Sequence, residues 1–189
     1  MKRIMQIGAV ALLLGAFAIR AEKTNELENP FSQKEKNIAV ARKFYEEVVN
    51  KHNVDMIDSF ASSEYVEHQY DTHFDGDLKG IKKAFSHYFN AFPDIQVKVN
   101  FIIAENDLVV AQITTTGTNA GSIYGRPATN KKVEINGVDI IRFRHGKAVE
   151  HWGYAEEGKM LTQLGLVRSI MKAEKDKDKA TTADEVIVK

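Results

Sequence analysis

The chain has 189 residues, 43% of them hydrophobic and 28% charged, and its 26 basic side chains are cancelled by 26 acidic ones. That length and balance suit one domain with its own core and exclude a wholly disordered chain. The zero net charge gives no footing for nucleic acid, and the absence of cysteine excludes disulfides, thiolate metal sites and a lipid-bearing cysteine anchor.

Lys2 and Arg3 precede a charge-free run from Ile4 to Ala18, and Ala16-Phe17-Ala18 supplies an A-x-A site, with a second cut available after Ala21. This is the layout of a secretory signal peptide over residues 1–21, and the run is short for a membrane span of ~20 residues. The expectation is export to the periplasm or the exterior, with no membrane attachment after cleavage. Residues 22–34 read as a polar linker, and Ser32 to Glu35 at its end matches a capping box. Ile38, Ala41, Phe44, Tyr45, Val48 and Val49 then recur at helical spacing. Asn53 is placed to cap a shorter helix that turns Val54, Ile57 and Phe60 inward.

Ser63 to His68 reads as a short strand, and Gln69 to Gly76 as a polar, turn-prone loop. His68, Asp71, His73 and Asp75 supply metal-type ligands, but at no standard ligand spacing. A solvated loop is the better reading, and no metal is assigned. A third helix from Leu78 to Phe92 carries Leu78, Ile81, Phe85, Tyr88, Phe89 and Phe92 along one stripe and stops before Pro93. Ile95, Val97, Val99 and Phe101 alternate with polar residues as a half-buried strand. Leu108 to Thr118 is the next strand, with Gln112, Thr114 and Thr116 sharing one face. Those three line a pocket if that face is concave; otherwise they are solvated or meet a second subunit. After a long Gly-bearing loop, Val133 to Phe143 forms a further strand.

A hairpin follows. A three-residue loop at Arg144-His145-Gly146 would pair Phe143 with Lys147. Alternation then puts Asp139, Ile141, Val149, His151 and Gly153 on one face, with Asp139 opposite His151. Val138, Ile140, Arg142, Glu150, Trp152 and Tyr154 take the other face. A helix from Glu156 to Leu164 ends at Gly165, a suitable C-cap, and the charged residues 168–189 read as a disordered tail.

The runs VDIIRF from Val138, GKAVEHWG from Gly146 and LTQLGL from Leu161 resemble the closing segment of the SnoaL-like polyketide cyclase and ester cyclase families, within the nuclear-transport-factor-2-like superfamily. Phe92-Pro93-Asp94 is similar to their FPD. Gly117, Thr118, Gly121, Gly125, Pro127, Thr129 and Lys131 match their long loop, from which Asn119, Ala128 and Asn130 depart. The likeness covers residues 37–167, within a domain drawn at 35–167. It implies an α+β fold: a curved, mostly antiparallel sheet with N-terminal helices packed on its concave face, forming a cone around one cavity. It also implies a small apolar ligand, a homodimer formed through the convex face by Val138, Ile140, Trp152 and Tyr154, and a loop reaching over the cavity mouth. His68 falls where ester cyclases often carry a histidine facing that mouth.

In the cyclases a cavity carboxylate works as general acid–base in an intramolecular aldol closure without metal or cofactor. By resemblance its position here is Gly153, which has no side chain to do so. The remaining acids are Asp139 on the partner strand and Glu156 or Glu157 just beyond; the candidate catalytic pair is Asp139 with His151, a dyad in which the carboxylate would tune the imidazole near neutral pH. The candidate pocket residues are His68, Tyr65, Tyr88, Phe89, Phe92, Gln112, Thr114, Thr116 and Glu156. No Gly-x-Ser-x-Gly, Cys–His pair or His-Glu-x-x-His is present, so hydrolase and zinc-protease chemistries have no support. Two classes stay open: an exported, cofactor-free cyclase, isomerase or lyase acting on an apolar carbonyl compound, and a non-catalytic binding or scaffolding dimer.

Overall fold

The computed structural model describes residues 30–69, 74–168 and 172. The signal-peptide reading, most of the linker, nearly all of the charged tail beyond Arg168, and Asp71 and His73 of the weak ligand cluster lie outside those residues. Among the described residues no group of three or more His, Asp or Glu is placed to hold a metal ion.

Helix α1 (Pro30–Phe44) starts within the stretch expected as linker, so Ser32 lies inside the helix rather than at its N-cap. Proline suits a first helical turn, where its missing N–H has no partner to lose. The helix runs into a π-helical turn, Tyr45–Val49, which buries Tyr45, Val48 and Val49. A 3₁₀ turn (Val54–Met56) leads into α2 (Ile57–Phe60); Asn53 precedes it without a side-chain cap. Strand β1 (Ala61–Glu67) follows, then α3 (Leu78–Ala91), whose start is fixed by the Asp77 side chain accepting from Gly80 N–H at 2.7 Å. The remaining elements are β2 (Gln96–Glu105), β3 (Leu108–Thr118), β4 (Lys132–Arg144), β5 (Lys147–Ala155) and α4 (Glu157–Leu164), which ends on Gly165 at φ 75°.

The five strands form one curved sheet in the order β1-β5-β4-β3-β2, antiparallel except for the parallel β1–β5 pair. Its concave side packs against α1, α3 and the π-turn, so the expected α+β cone is the observed architecture. Two bulges decide which side chains reach that side. In β2, Val99 pairs with Ile113 and Phe101 with Gln112, leaving Asn100 extra. The strand's facing flips there: Ile102 and Ala104 turn inward, and Phe101, expected inside, is 53% exposed.

The hairpin differs from expectation in a related way. Its loop has two residues, His145 and Gly146, at φ 51° and 74°, and Arg144 pairs with Lys147. Two positive φ values are what a type I′ turn needs. Continued unbroken, that register would put His151 on the face opposite Asp139. A bulge at Val149 prevents this: Phe143 pairs with Ala148, but Arg142 pairs with Glu150. The expected face is thereby restored. The register is two residues out, with Asp139 opposite Gly153 and Ile141 opposite His151.

Candidate active site

The concave face encloses a cavity of about 230 Å³ with a largely apolar wall. Phe44 supplies its aromatic centre, its ring in edge contact with Phe60 and Phe85 at 5.8 and 5.7 Å between centroids. Among the described residues, the charged side chains on this wall are Asp139 and His151.

A single hydrogen-bonded row runs through them. The Tyr45 hydroxyl, held by the π-turn, donates to Asp139 Oδ2 at 2.7 Å. Asp139 Oδ1 stands 3.4 Å from His151 Nε2. His151 Nδ1 is 2.7 Å from Glu67 Oε2, which also accepts from the Tyr65 hydroxyl at 2.8 Å. The other Glu67 oxygen accepts from Gln69 N–H at 3.0 Å. Glu67 is 4% exposed, and it reaches His151 because parallel pairing of β1 with β5 sets the two residues side by side.

The surroundings fix the charges. Burial alone would lower the His151 pKa, but hydrogen bonds and charge from Asp139 and Glu67 outweigh it and raise the value to about 10. Burial likewise opposes ionisation of Glu67, yet its hydrogen bond to His151, the imidazolium charge, the Tyr65 hydroxyl and Gln69 N–H together lower its pKa. Tyr45 and Tyr65 are pushed far up, first by burial and then by the carboxylate each one faces. At neutral pH the row thus holds an imidazolium between two carboxyl groups, flanked by two neutral phenols. This corrects the expectation of a histidine tuned near neutrality, which considered one carboxylate where there are two.

Tyr65, Tyr88, Phe89, Asp139 and His151 all line the cavity. The other named residues sit elsewhere. His68, just past the end of β1, turns to the face opposite Glu67, stacked on Trp152 at 4.4 Å with Nε2 2.9 Å from Glu150. Gln112 and Thr114 bond Asn100, and Thr114 also bonds Asn136, on the convex side; Thr116 follows their alternation, while Thr115 takes the cavity wall. Glu156 precedes α4 and accepts from Asn136 N–H and Lys159, at the surface. Phe92 is buried in a separate cluster with Ile123, Val133 and Met160. The long loop does not close the main cavity. Buried Asn119 bonds Gly121 and Thr129, while Ala120 and Gly121 tie the loop to the end of α3 through Ala91.

Glu67 escaped sequence reasoning. Its signal was the pair Tyr65-x-Glu67, an aromatic and an acid on one strand face, but only the long-range parallel pairing reveals that this face is buried against His151.

The fold is thus a cone-shaped α+β domain whose concave face holds a largely apolar cavity with a short polar row on its sheet wall. The model of the SnoaL-like polyketide cyclase family matches residues 39–164, and the chain belongs to that family. No curated protein matches the chain. Among solved structures, AclR of Streptomyces galilaeus, a candidate hydroxylase, is similar at 29% identity and TM-score 0.62, over 70% of this chain and 97% of that one. IdmH of Streptomyces antibioticus, a candidate polyketide cyclase, is similar at 25% identity and TM-score 0.60, over 68% and 98%. TsrD of Streptomyces laurentii shares the fold at 20% identity and TM-score 0.64, over 70% and 96%.

Proposed function

We propose that this protein is a cofactor-free acid–base catalyst of the cyclase or isomerase type, acting on a neutral, apolar carbonyl compound. One observation carries the reading. The acid position implied by the family resemblance is Gly153, and a Cβ built there would lie 3.5 Å from Asp139 Oδ1 and 2.9 Å from His151 Cε1. The carboxyl group that Gly153 lacks is therefore supplied from the directly paired residue of the neighbouring strand.

In this reading the Asp139 carboxylate takes a proton from the carbon next to a substrate carbonyl. The His151 imidazolium faces the carbonyl oxygen through Nε2–H and stabilises the enolate that forms. Attack of that enolate on a second carbonyl closes the carbon–carbon bond, and the resulting alkoxide takes a proton from the His151–Asp139 pair. Glu67 holds Nδ1–H, leaving Nε2–H at the cavity wall, where it is shared between Asp139 Oδ1 and the substrate carbonyl oxygen. General acid–base groups are worth about 10²–10⁴ in rate. Asp139→Asn should lower turnover of a diketone capable of intramolecular aldol closure by about that factor, with its dissociation constant changed about threefold at most.

A binding-only reading draws on the same row, because its polar groups already satisfy one another as a pocket floor would. Unchanged turnover in Asp139→Asn, or a loss confined to affinity, would favour it. We further propose that two copies pair through the convex face, where Phe101, Ile103, Tyr154 and Val66 are exposed.

A further inference from the structure

Tyr45 reaches Asp139 from a turn that the helix does not hold by itself. Asn50 N–H donates to Tyr45 O at 2.8 Å and Asn53 N–H to Val48 O at 2.9 Å, each spanning five residues rather than the four of an α-helix. A π-turn of this kind is rare and short, so it persists where an outside contact supports it. Asn50 supplies that contact. Its side-chain amide donates to Val97 O at 3.0 Å and accepts from Val97 N–H at 2.7 Å. β2 is an edge strand, and those two groups belong to its free side, which another strand would otherwise fill. The Asn50 carbonyl also accepts from Gln96 Nε2 at 3.1 Å. The Asn50 amide thus stands in for one residue of a further strand and fixes the end of the helix to the sheet.

Both ends of the Tyr45–Asp139 bond are therefore set by one sheet. Asp139 is carried by β4, and its register continues through Ala111 of β3 to Ile102 of β2. Tyr45 is carried by the turn that Asn50 ties to Val97. The result is a phenol, 4% exposed, whose hydroxyl occupies Asp139 Oδ2 at 2.7 Å and leaves Oδ1 toward His151 Nε2 at 3.4 Å. Among the described residues, the titratable groups around the imidazole are Asp139 from β4, Glu67 and Tyr65 from β1, Tyr45 from the π-turn and Tyr88 from α3. A hydrogen bond to a carboxylate stabilises its negative charge and so lessens the attraction left for a second donor. An imidazolium gripped too tightly is a poor proton donor, because a general acid works best with a pKa near the working pH. Tyr45 relieves that grip.

We propose that Tyr45 is a positioning residue for the Asp139–His151 pair, drawing the Asp139 charge toward Oδ2 so that the imidazolium keeps an available Nε2 proton, and that Asn50 acts through Tyr45 by clamping the π-turn to the free edge of β2. The proposal deepens the catalytic reading above and rests on it.

The test is a ¹⁵N NMR titration of the His151 ring in the full chain, for wild type, Tyr45→Phe and Asn50→Ala. Tyr45→Phe keeps the ring and its edge contact with Phe44 at 5.9 Å, so the fold should hold. It returns the Asp139 charge to His151 and should raise the midpoint by about half a pH unit, which makes the proton donor about threefold weaker. A purely structural tyrosine would act the other way, since loosening the row separates Asp139 from His151 and lowers the midpoint. Asn50→Ala should raise the midpoint by a smaller amount. Asn50→Ser, a milder truncation, gives the same reading should the alanine variant not fold. A midpoint unchanged or lowered in Tyr45→Phe overturns the proposal. One raised there but unmoved in whichever Asn50 variant folds overturns the role of Asn50. A wild-type His151 titrating near about 6.5 overturns the catalytic reading itself, a failure distinct from the other two.

Discussion

His151 carries a positive charge in an apolar cavity because two carboxyl groups, on two different strands, hold its two ring nitrogens. The consequence for stability follows from the direction of each shift. The His151 pKa is about 10 in the folded chain and about 6.5 unfolded. Its contribution is complete below about pH 6.5 and is lost as the pH rises toward 10. The Glu67 pKa is lowered on folding, so its contribution is present above the unfolded value of about 4.3 and is lost as the pH falls through the folded value. Thermal stability should therefore peak between about pH 5 and 6.5 and decline on the alkaline side. Glu67→Gln removes one partner of a buried pair and should cost about 3–5 kcal/mol at pH 6. It should also flatten the alkaline decline; parallel melting curves for wild type and variant would show that Glu67 does not hold the imidazolium. At this scale Asp139 and His151 were legible, since alternation on adjoining strands put them on one face. Their charge state was not, because it depends on a third residue some eighty positions away.

Bulges, rather than strand positions, decide what the elements present to the cavity. The alternation of β2 up to Val99, the helical stripes and the Gly165 cap were all readable, because each follows from local spacing. The extra residues at Asn100 and Val149 were not, since a bulge shows only against its partner strand. The three-residue loop expected after Phe143 and the observed two-residue loop with a bulge put the same residues on the same face, which is why the Asp139–His151 pairing survived a wrong register. Gly153 belongs to this scale. Its bare Cα leaves the room that the His151 ring fills, a hypothetical Cβ coming within 2.9 Å of His151 Cε1. Gly153→Ala should fold, because the ring can give way. It should also separate His151 from Asp139 and lower turnover by about 10²-fold, the scale of a 1 Å misplacement. Wild-type turnover in that variant would mean that the ring position is not critical.

As a whole, the molecule has one sheet with two unlike faces. The concave side holds the cavity and the polar row. The convex side exposes Phe101 and Ile103 at 53% and 59% on the edge strand β2, and Tyr154 at 54% on β5, the strand whose Trp152 stacks on His68. The apolar convex face was legible in β5, but Phe101 and Ile103 joined it only through the β2 bulge. If two copies meet there, light scattering at micromolar concentration should give a dimer, and Ile103→Lys with Tyr154→Lys should give a folded monomer. A wild-type monomer under those conditions would contradict the dimer.

The most direct test of the site is a ¹⁵N NMR titration of the His151 ring in the intact protein. Both ring nitrogens should report an imidazolium throughout the neutral range, with a midpoint at about 10. The midpoint should fall when Glu67 is replaced by glutamine. A His151 that is neutral at about pH 7.5, or that titrates near the ordinary value of about 6.5, would contradict an imidazolium acid between two carboxyl groups and remove the basis for the proposed chemistry.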